Sequence, residues 1–411
     1  MRNTLEEGST SSGRSSRSVS RERVNKECPA KRSKVINMKR TSCCKSKICG
    51  LRNLGNTCFM NAVLQSLSNI QQFSCYFAQL PSLEHHRLNG TRLNSTKRLN
   101  EGDLSLAEEL RKTLVLLCKG SKSAISPESL FSVIWKVVPR FRGYRQQDAH
   151  EFLRYMLDRL HTELLGTLPY PNYTHNPMNI YFGPTKKSTI VTAIFGGVLQ
   201  NEVTCLVCGT ESKKHDPFLD LSLNIPQQCS NKSENKDEDE SLQKCHLFDC
   251  LSSFIELEEL AETELYHCPN CKKKQRFTKR FWVRRLPNVL CLHLKRFWWN
   301  NFYRNKLDTY VEFPISDLDM SRYVLSEVRE TRGSGYGSHL YDLAAVIVHH
   351  GTGPASGHYT AYATHEKSWH HFNDSTVTVC DESTVAKSKA YILFYIRKER
   401  SKSNSSNLWA S

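Results

Sequence analysis

The sequence predicts an α+β fold with an antiparallel sheet. In the first half, apolar residues recur with a helical period. The second half is built of short runs rich in Val, Ile, Tyr and Phe. Helices first and strands later argues against an alternating βαβ chain. The composition agrees: 39% of the 411 residues are hydrophobic and 10% aromatic, enough for a sizeable core and too much for wholesale disorder.

Residues 1–49 hold 13 Lys+Arg, 4 acids and ten Ser, with almost no periodic apolar pattern. They are expected to form a disordered basic arm. The arm has no apolar run of the secretory kind, and no stretch of the chain approaches the roughly 18 unbroken apolar residues of a membrane span. Globular sequence begins abruptly at Gly50, so a body over residues 50–397 is expected. Asn56 and Thr57 are placed to cap a helix whose apolar face is Phe59, Val63, Leu67 and Ile70. Ala149, Phe152, Leu153, Met156, Leu157 and Leu160 follow the helical pattern strongly. Strands are expected at 281–283, 289–296, 341–348, 358–364, 376–379 and 391–396. Polar stretches at 84–103, 165–189 and 227–244 interrupt the body, and the last carries an acidic run, Lys236 to Glu240. Residues 398–411 are expected to be a second disordered basic tail.

The formal net charge is +16, from 57 Lys+Arg and 41 Asp+Glu. Taken whole, that charge suggests a nucleic-acid binder. Its distribution restricts the reading: residues 1–49 carry +9 and residues 397–411 carry +3, leaving +4 for the body. Nucleic-acid contact is therefore expected of the arm, and only non-specifically.

Sixteen Cys in 411 residues is about 4%, below the roughly 8–10% of disulfide scaffolds. With no secretory signal, paired cysteines point to a metal. Cys205-Leu-Val-Cys208 and Cys268-Pro-Asn-Cys271 are two Cys-x-x-Cys knuckles. Four thiolates close a tetrahedral zinc site with no open position, so one structural Zn2+ is expected. Cys28, Cys43, Cys44 and Cys49 lack that spacing and are expected to be unpaired thiols.

Cys58 lies in Gly55-Asn-Thr-Cys-Phe-Met-Asn61, where a tight turn meets the start of a helix. Free N–H groups and the positive dipole end there favour a thiolate. Read alone, most such cysteines are small buried hydrophobes, and Cys75, Cys118, Cys291 and Cys380 are read that way. A thiolate needs a base, and His358 follows the loop Gly351 to Gly357 at the start of a strand. Asn373-Asp374, fifteen residues on, offers an amide or a carboxylate to orient an imidazole. Read alone, that dipeptide is better explained by plain turn chemistry.

Together these segments resemble the ubiquitin-specific proteases, papain-like cysteine proteases that remove ubiquitin. Gly50 to Asn61 is similar to the family's cysteine box, and Tyr144 to Phe152 to its glutamine–aspartate helix. His293-Leu-Lys-Arg-Phe297 is similar to its core strand. Gly357 to Tyr362 and Phe372 to Ser375 are similar to its histidine box. The match runs from about Gly50 to Arg397 in family order.

That resemblance implies a helical thumb, a β palm and zinc-ribbon fingers. It implies Cys58 as nucleophile, His358 as general base and then acid, Asn373 as orienting group with Asp374 beside it, and Asn53 as oxyanion donor. It implies contacts from Gln147, Asp148 and Glu151 to the arginine-bearing tail of ubiquitin. Asp148 and Glu151 are expected to share a helix face. The expected partners are ubiquitin and ubiquitinated proteins. Segments such as Arg304 to Pro314 and Leu343 to Val346 resemble the histone-directed nuclear branch, and the arm's Lys31 to Lys34 suits a nuclear address. A monomer is expected. The arm does not resemble the ubiquitin-binding zinc-finger domain that many relatives carry upstream. Two other readings stay open at this point: a ubiquitin-binding scaffold with a dead site, and a basic zinc protein that binds nucleic acid.

Overall fold

The computed structural model describes residues 48–82, 105–120, 123–143, 145–167, 188–226, 245–261, 263–300, 303–325, 338–353 and 356–399. Helices come first: α1 (Cys58–Asn69), α2 (Gln71–Gln79), α3 (Leu106–Lys119), α4 (Glu128–Val137), α5 (Ala149–Thr167) and α6 (Ile190–Phe195). The strands of the two main sheets are β1 (Gly197–Cys205), β2 (Glu211–Phe218), β3 (Leu221–Leu223), β4 (Glu258–Glu259), β5 (Phe277–Arg285), β6 (Val289–Leu294), β7 (Leu318–Asp319), β8 (Leu340–Gly353), β9 (Ser356–His365), β10 (Ser368–Asn373), β11 (Thr376–Cys380) and β12 (Ala390–Arg397). Helix α7 (Leu247–Phe254) precedes β4, and α8 (Glu382–Ala386) precedes β12. The α+β reading holds, and each expected strand lies within or overlaps an observed one. The polar stretches 84–103 and 227–244, and most of 165–189, lie outside the described residues.

Local chemistry sets the helix ends. Helix α3 starts at Ser105, whose hydroxyl accepts from the Glu108 N–H, and stops at Gly120 in a left-handed conformation. Helix α1 departs from the one-faced pattern: every residue from Cys58 to Leu67 is buried. It lies between α5 and the large sheet, packing on β9 and β8. The Phe59 ring meets Phe152 of α5 edge-on at 5.6 Å and Phe141 at 6.1 Å. Each fully buried aromatic of this kind contributes about 1.5–3 kcal/mol, so the start of α1 is firmly seated.

The large sheet runs β11-β10-β9-β8-β12-β6-β3, with β7 paired to β8. Neighbours are antiparallel except for the parallel pair β6–β3. A narrower antiparallel sheet, β2-β1-β5-β4, extends from it. At its far end Cys205 stands opposite Phe277, and Leu260 and Cys268 join them in a small separate core. No described helix is long and apolar enough to cross a membrane.

Candidate active site

Cys58 is the first residue of α1 and is buried. The chain reaches it through a tight turn with Gly55 at φ 99° and Asn56 at φ 52°. Thr57 occupies the cap position without capping the helix. Its hydroxyl instead accepts from Leu54 N–H at 2.9 Å. Asn53 organises the same turn: its Oδ1 accepts from Gly55 N–H at 2.9 Å and Thr57 N–H at 3.1 Å.

His358 stands near the start of β9, opposite His350 of β8. The β9–β10 register, with Ala361 opposite Phe372, brings Asn373 diagonally against His358. His358 Nε2 lies 2.7 Å from Asn373 Oδ1. A hydrogen bond with the Cys58 thiol raises the imidazole to about 9, against the pull of burial and with help from Asn373 and the charge of Asp374. Cysteine, histidine and amide therefore form one chain of polar contacts, drawn from opposite ends of the sequence.

Asp374 reaches the histidine through its charge and not through a hydrogen bond. Its Oδ2 is 4.0 Å from His358 Nε2, beyond hydrogen-bond reach. Its carboxylate instead accepts from Asn53 Nδ2 at 2.9 Å and Asn61 Nδ2 at 2.7 Å. Its own carbonyl accepts from Leu51 N–H at 2.8 Å. Gly50 runs so close that a Cβ there would lie 2.4 Å from the Ser375 carbonyl oxygen. Asp374 thus ties the cysteine turn to the histidine hairpin. Asn61 was missed in the sequence, although it lies three residues after Cys58, one turn along the same helix.

The expected acidic face is corrected. Helix α5 begins at Ala149, so Asp148 precedes it. Asp148 Oδ1 accepts from His150 N–H at 2.8 Å and from Tyr391 O–H at 2.6 Å, which turns the carboxylate inward. Its side chain seats the helix start on β12, whereas Glu151 is exposed and paired with Arg140. Gln147 Nε2 donates to the Arg140 carbonyl at 3.0 Å. Gln146, which no spacing marked, donates to the Gly357 carbonyl beside His358.

A buried cysteine at a helix start, an imidazolium within reach and an orienting amide suit thiol acyl transfer. The family profile described as ubiquitin carboxyl-terminal hydrolase matches residues 49–395. The chain belongs to that family. This hydrolase is 59% identical over 360 residues to ubiquitin carboxyl-terminal hydrolase 3 of Homo sapiens, covering 85% of this chain and 68% of that protein. It is 35% identical over 366 residues to ubiquitin carboxyl-terminal hydrolase 2 of Homo sapiens, covering 85% of this chain and 55% of that one. Among solved structures it is similar to the SAGA Ubp8/Sgf11/Sus1/Sgf73 DUB module bound to ubiquitin aldehyde. There the TM-score is 0.64 at 30% identity, over 86% of this chain and 70% of the matched chain. The hydrolase is a cysteine-type deubiquitinase with a mixed α+β, papain-like architecture.

At the end of the narrow sheet of this hydrolase, ligand atoms of Cys205, Cys208, Cys268 and Cys271 all lie within 4.8 Å of one another. Each pair forms the same knuckle. Gly209 N–H returns to the Cys205 carbonyl and Lys272 N–H to the Cys268 carbonyl, both at 2.9 Å. Gly209 and Lys272 take positive φ, 69° and 58°. The sulfurs compete for protons. Hydrogen bonds from Thr210 and Asn270 draw Cys208 down to about 5. Hydrogen bonding with Cys208 and burial push Cys271 up to about 12. A soft dication would release that competition, and the four-thiolate set fits zinc.

Proposed function

We propose that this deubiquitinase cleaves the isopeptide bond after the last Gly of ubiquitin through Cys58, His358 and Asn373. The carrying observation is the assembled trio, with His358 held to about 9 beside the Cys58 thiol. The Cys58 thiolate attacks the Gly carbonyl carbon. The C–N bond breaks as His358 gives its proton to the leaving lysine amine. Water then attacks the thioester carbon, His358 accepts its proton, the C–S bond breaks to return the Cys58 thiolate, and ubiquitin leaves with a free carboxylate. Asn373 fixes the imidazole tautomer. Asn53 donates to the oxyanion, steadied by Asp374. Gln147 and Glu151 line the path of the ubiquitin tail, with Glu151 exchanging Arg140 for an arginine of that tail, while the buried Asp148 seats the helix start beside them. A ubiquitin probe bearing an electrophile at its C-terminus should label Cys58 stoichiometrically. Folded protein that stays unlabelled there would sink the assignment.

The shifted histidine predicts a pH profile. Its imidazolium persists until pH rises through about 9, and a thiolate–imidazolium pair needs it charged. The kcat/KM for a fluorogenic ubiquitin substrate should therefore fall as pH rises through about 9. In Asn373→Ala this limb should move to lower pH, because one of the bonds that raise the histidine is gone. The raised value also contributes stability that is present below the ordinary 6.5 and lost as pH rises through about 9.

The same reading gives the four cysteines one structural Zn2+ that holds the tip of the narrow sheet. Cys208→Ser should release metal in a colorimetric zinc assay. It should also raise amide exchange over 203–212 and 263–278 while β8 to β12 stay protected. Unchanged exchange at the tip after zinc loss would refute the structural role. Residues 50–397 are the catalytic domain in this reading, and 1–49 and 398–411 are basic arms suited to non-specific nucleic-acid contact. Kinship to hydrolase 3 and to a SAGA DUB module chain supports nuclear placement and histone substrates. Ubiquitinated nucleosomes set against linkage-defined ubiquitin chains test it: chains cleaved faster than nucleosomes would remove the histone assignment.

A further inference from the structure

We propose that Lys306 is a positioning residue for His358, acting through two carbonyls that it holds beside the catalytic strand. The proposal rests on the reading of His358 as the base. Lys306 ends a short ribbon in which Phe297–Asn300 pairs with Tyr303–Lys306. Its side chain is only 4% exposed, although it ends in an ammonium. That group donates to the His349 carbonyl at 2.9 Å and the Gly351 carbonyl at 2.8 Å. Asp308 Oδ1 stands 3.5 Å away as its counter-charge. Burying an ammonium is costly unless its donors are used, and here two go to backbone carbonyls flanking a single residue.

That residue is His350, the cross-strand partner of His358. Immediately after it the β8–β9 ladder loses register, resuming only at Gly353 opposite Ser356. Ladder bonds therefore do not fix the backbone where it matters most for His358. Gly351 turns there at φ 108°, and a Cβ on it would come within 2.8 Å of the Ser356 carbonyl oxygen and 2.9 Å of Gly357 Cα. The segment that Lys306 grips thus presses directly on the peptide preceding His358. Gln146 in turn holds the Gly357 carbonyl. Between these two grips His358 meets Asn373 at 2.7 Å and the Cys58 thiol. Methionine in place of Lys306 would fill the same space but leave both carbonyls without that donor.

The test uses the full chain with a fluorogenic ubiquitin substrate, comparing wild type, Lys306→Met and His358→Ala. Lys306→Met should lower kcat by about 10- to 100-fold, the scale of a small misplacement of a reacting group. KM should stay within about threefold, because ubiquitin contacts are untouched. The alkaline limb supplies the readout that lost packing would not move. The groups around His358 are Cys58, Asn373, Asp374, His349, His350 and His371. Removing a positive charge alone would raise its limb, whereas drawing it away from Cys58 would lower it. A lowered limb together with lost kcat supports the proposal. Folded Lys306→Met with wild-type kcat and limb, or with a raised limb, overturns it. If Lys306→Met does not fold, Lys306→Gln is read by the same criteria. Should His358→Ala keep wild-type turnover, the reading of His358 fails instead, which separates the two failures.

Discussion

Cys58→Ala should abolish turnover of ubiquitin conjugates while ubiquitin still binds. Removing a nucleophile or its base from such a site costs about 10⁴- to 10⁶-fold in kcat. The substitution should leave the fold intact, since Cys58 is a small buried residue at the start of a helix seated by Phe59 against Phe152. His358→Ala should cost nearly as much, and the double variant little more than either single one, because the two groups act as a unit. Ubiquitin binding by calorimetry and single-turnover kinetics check this. A Cys58→Ala protein that keeps even a hundredth of wild-type turnover would mean that another group is the nucleophile. Binding that survives alongside an inactive wild type would instead favour the scaffold reading.

The chemistry was legible in the sequence wherever it depends on short spacing. Two Cys-x-x-Cys knuckles announce a four-sulfur cluster, and the structure brings those four sulfurs together. Cys58 could be placed at a helix start because the turn that delivers it, Gly55-Asn56, uses the residue types that accept positive φ. Features that depend on distant partners were not legible. Periodicity gave α1 a single apolar face, because it cannot show that the sheet covers one side and α5 the other. Asp148 read as sharing a helix face with Glu151, because nothing near it in sequence announces the Tyr391 hydroxyl that turns it inward. Asp374 read only as a helper of His358, and its second task of holding Asn53 and Asn61 was not legible for the same reason. The two asparagines that claim it lie 321 and 313 residues away.

Asp374→Ala should reduce kcat by about 10²- to 10³-fold, as much as losing an oxyanion donor directly. The carboxylate is the acceptor for Asn53 Nδ2 and Asn61 Nδ2, at 2.9 and 2.7 Å. Without it the Asn53 amide loses the contact that aims its nitrogen, though its Oδ1 still holds the turn through Gly55 and Thr57. Asn53→Ala should cost at least as much in kcat as Asp374→Ala, since it also removes the Oδ1 that holds the turn, and the double variant should fall no further than the worse single, because both remove one donor. Additive losses would show that Asp374 acts on His358 separately. The pH profile distinguishes the two variants. The charge of Asp374 helps hold His358 near 9, so its removal should lower the alkaline limb, whereas Asn53→Ala leaves that charge in place. Asp374→Asn offers one carbonyl oxygen to two amides and should fall between wild type and Asp374→Ala in kcat, with its limb lowered as in the alanine variant. A limb unmoved in Asp374→Asn would remove the electrostatic part of this account and leave the hydrogen-bond tie alone.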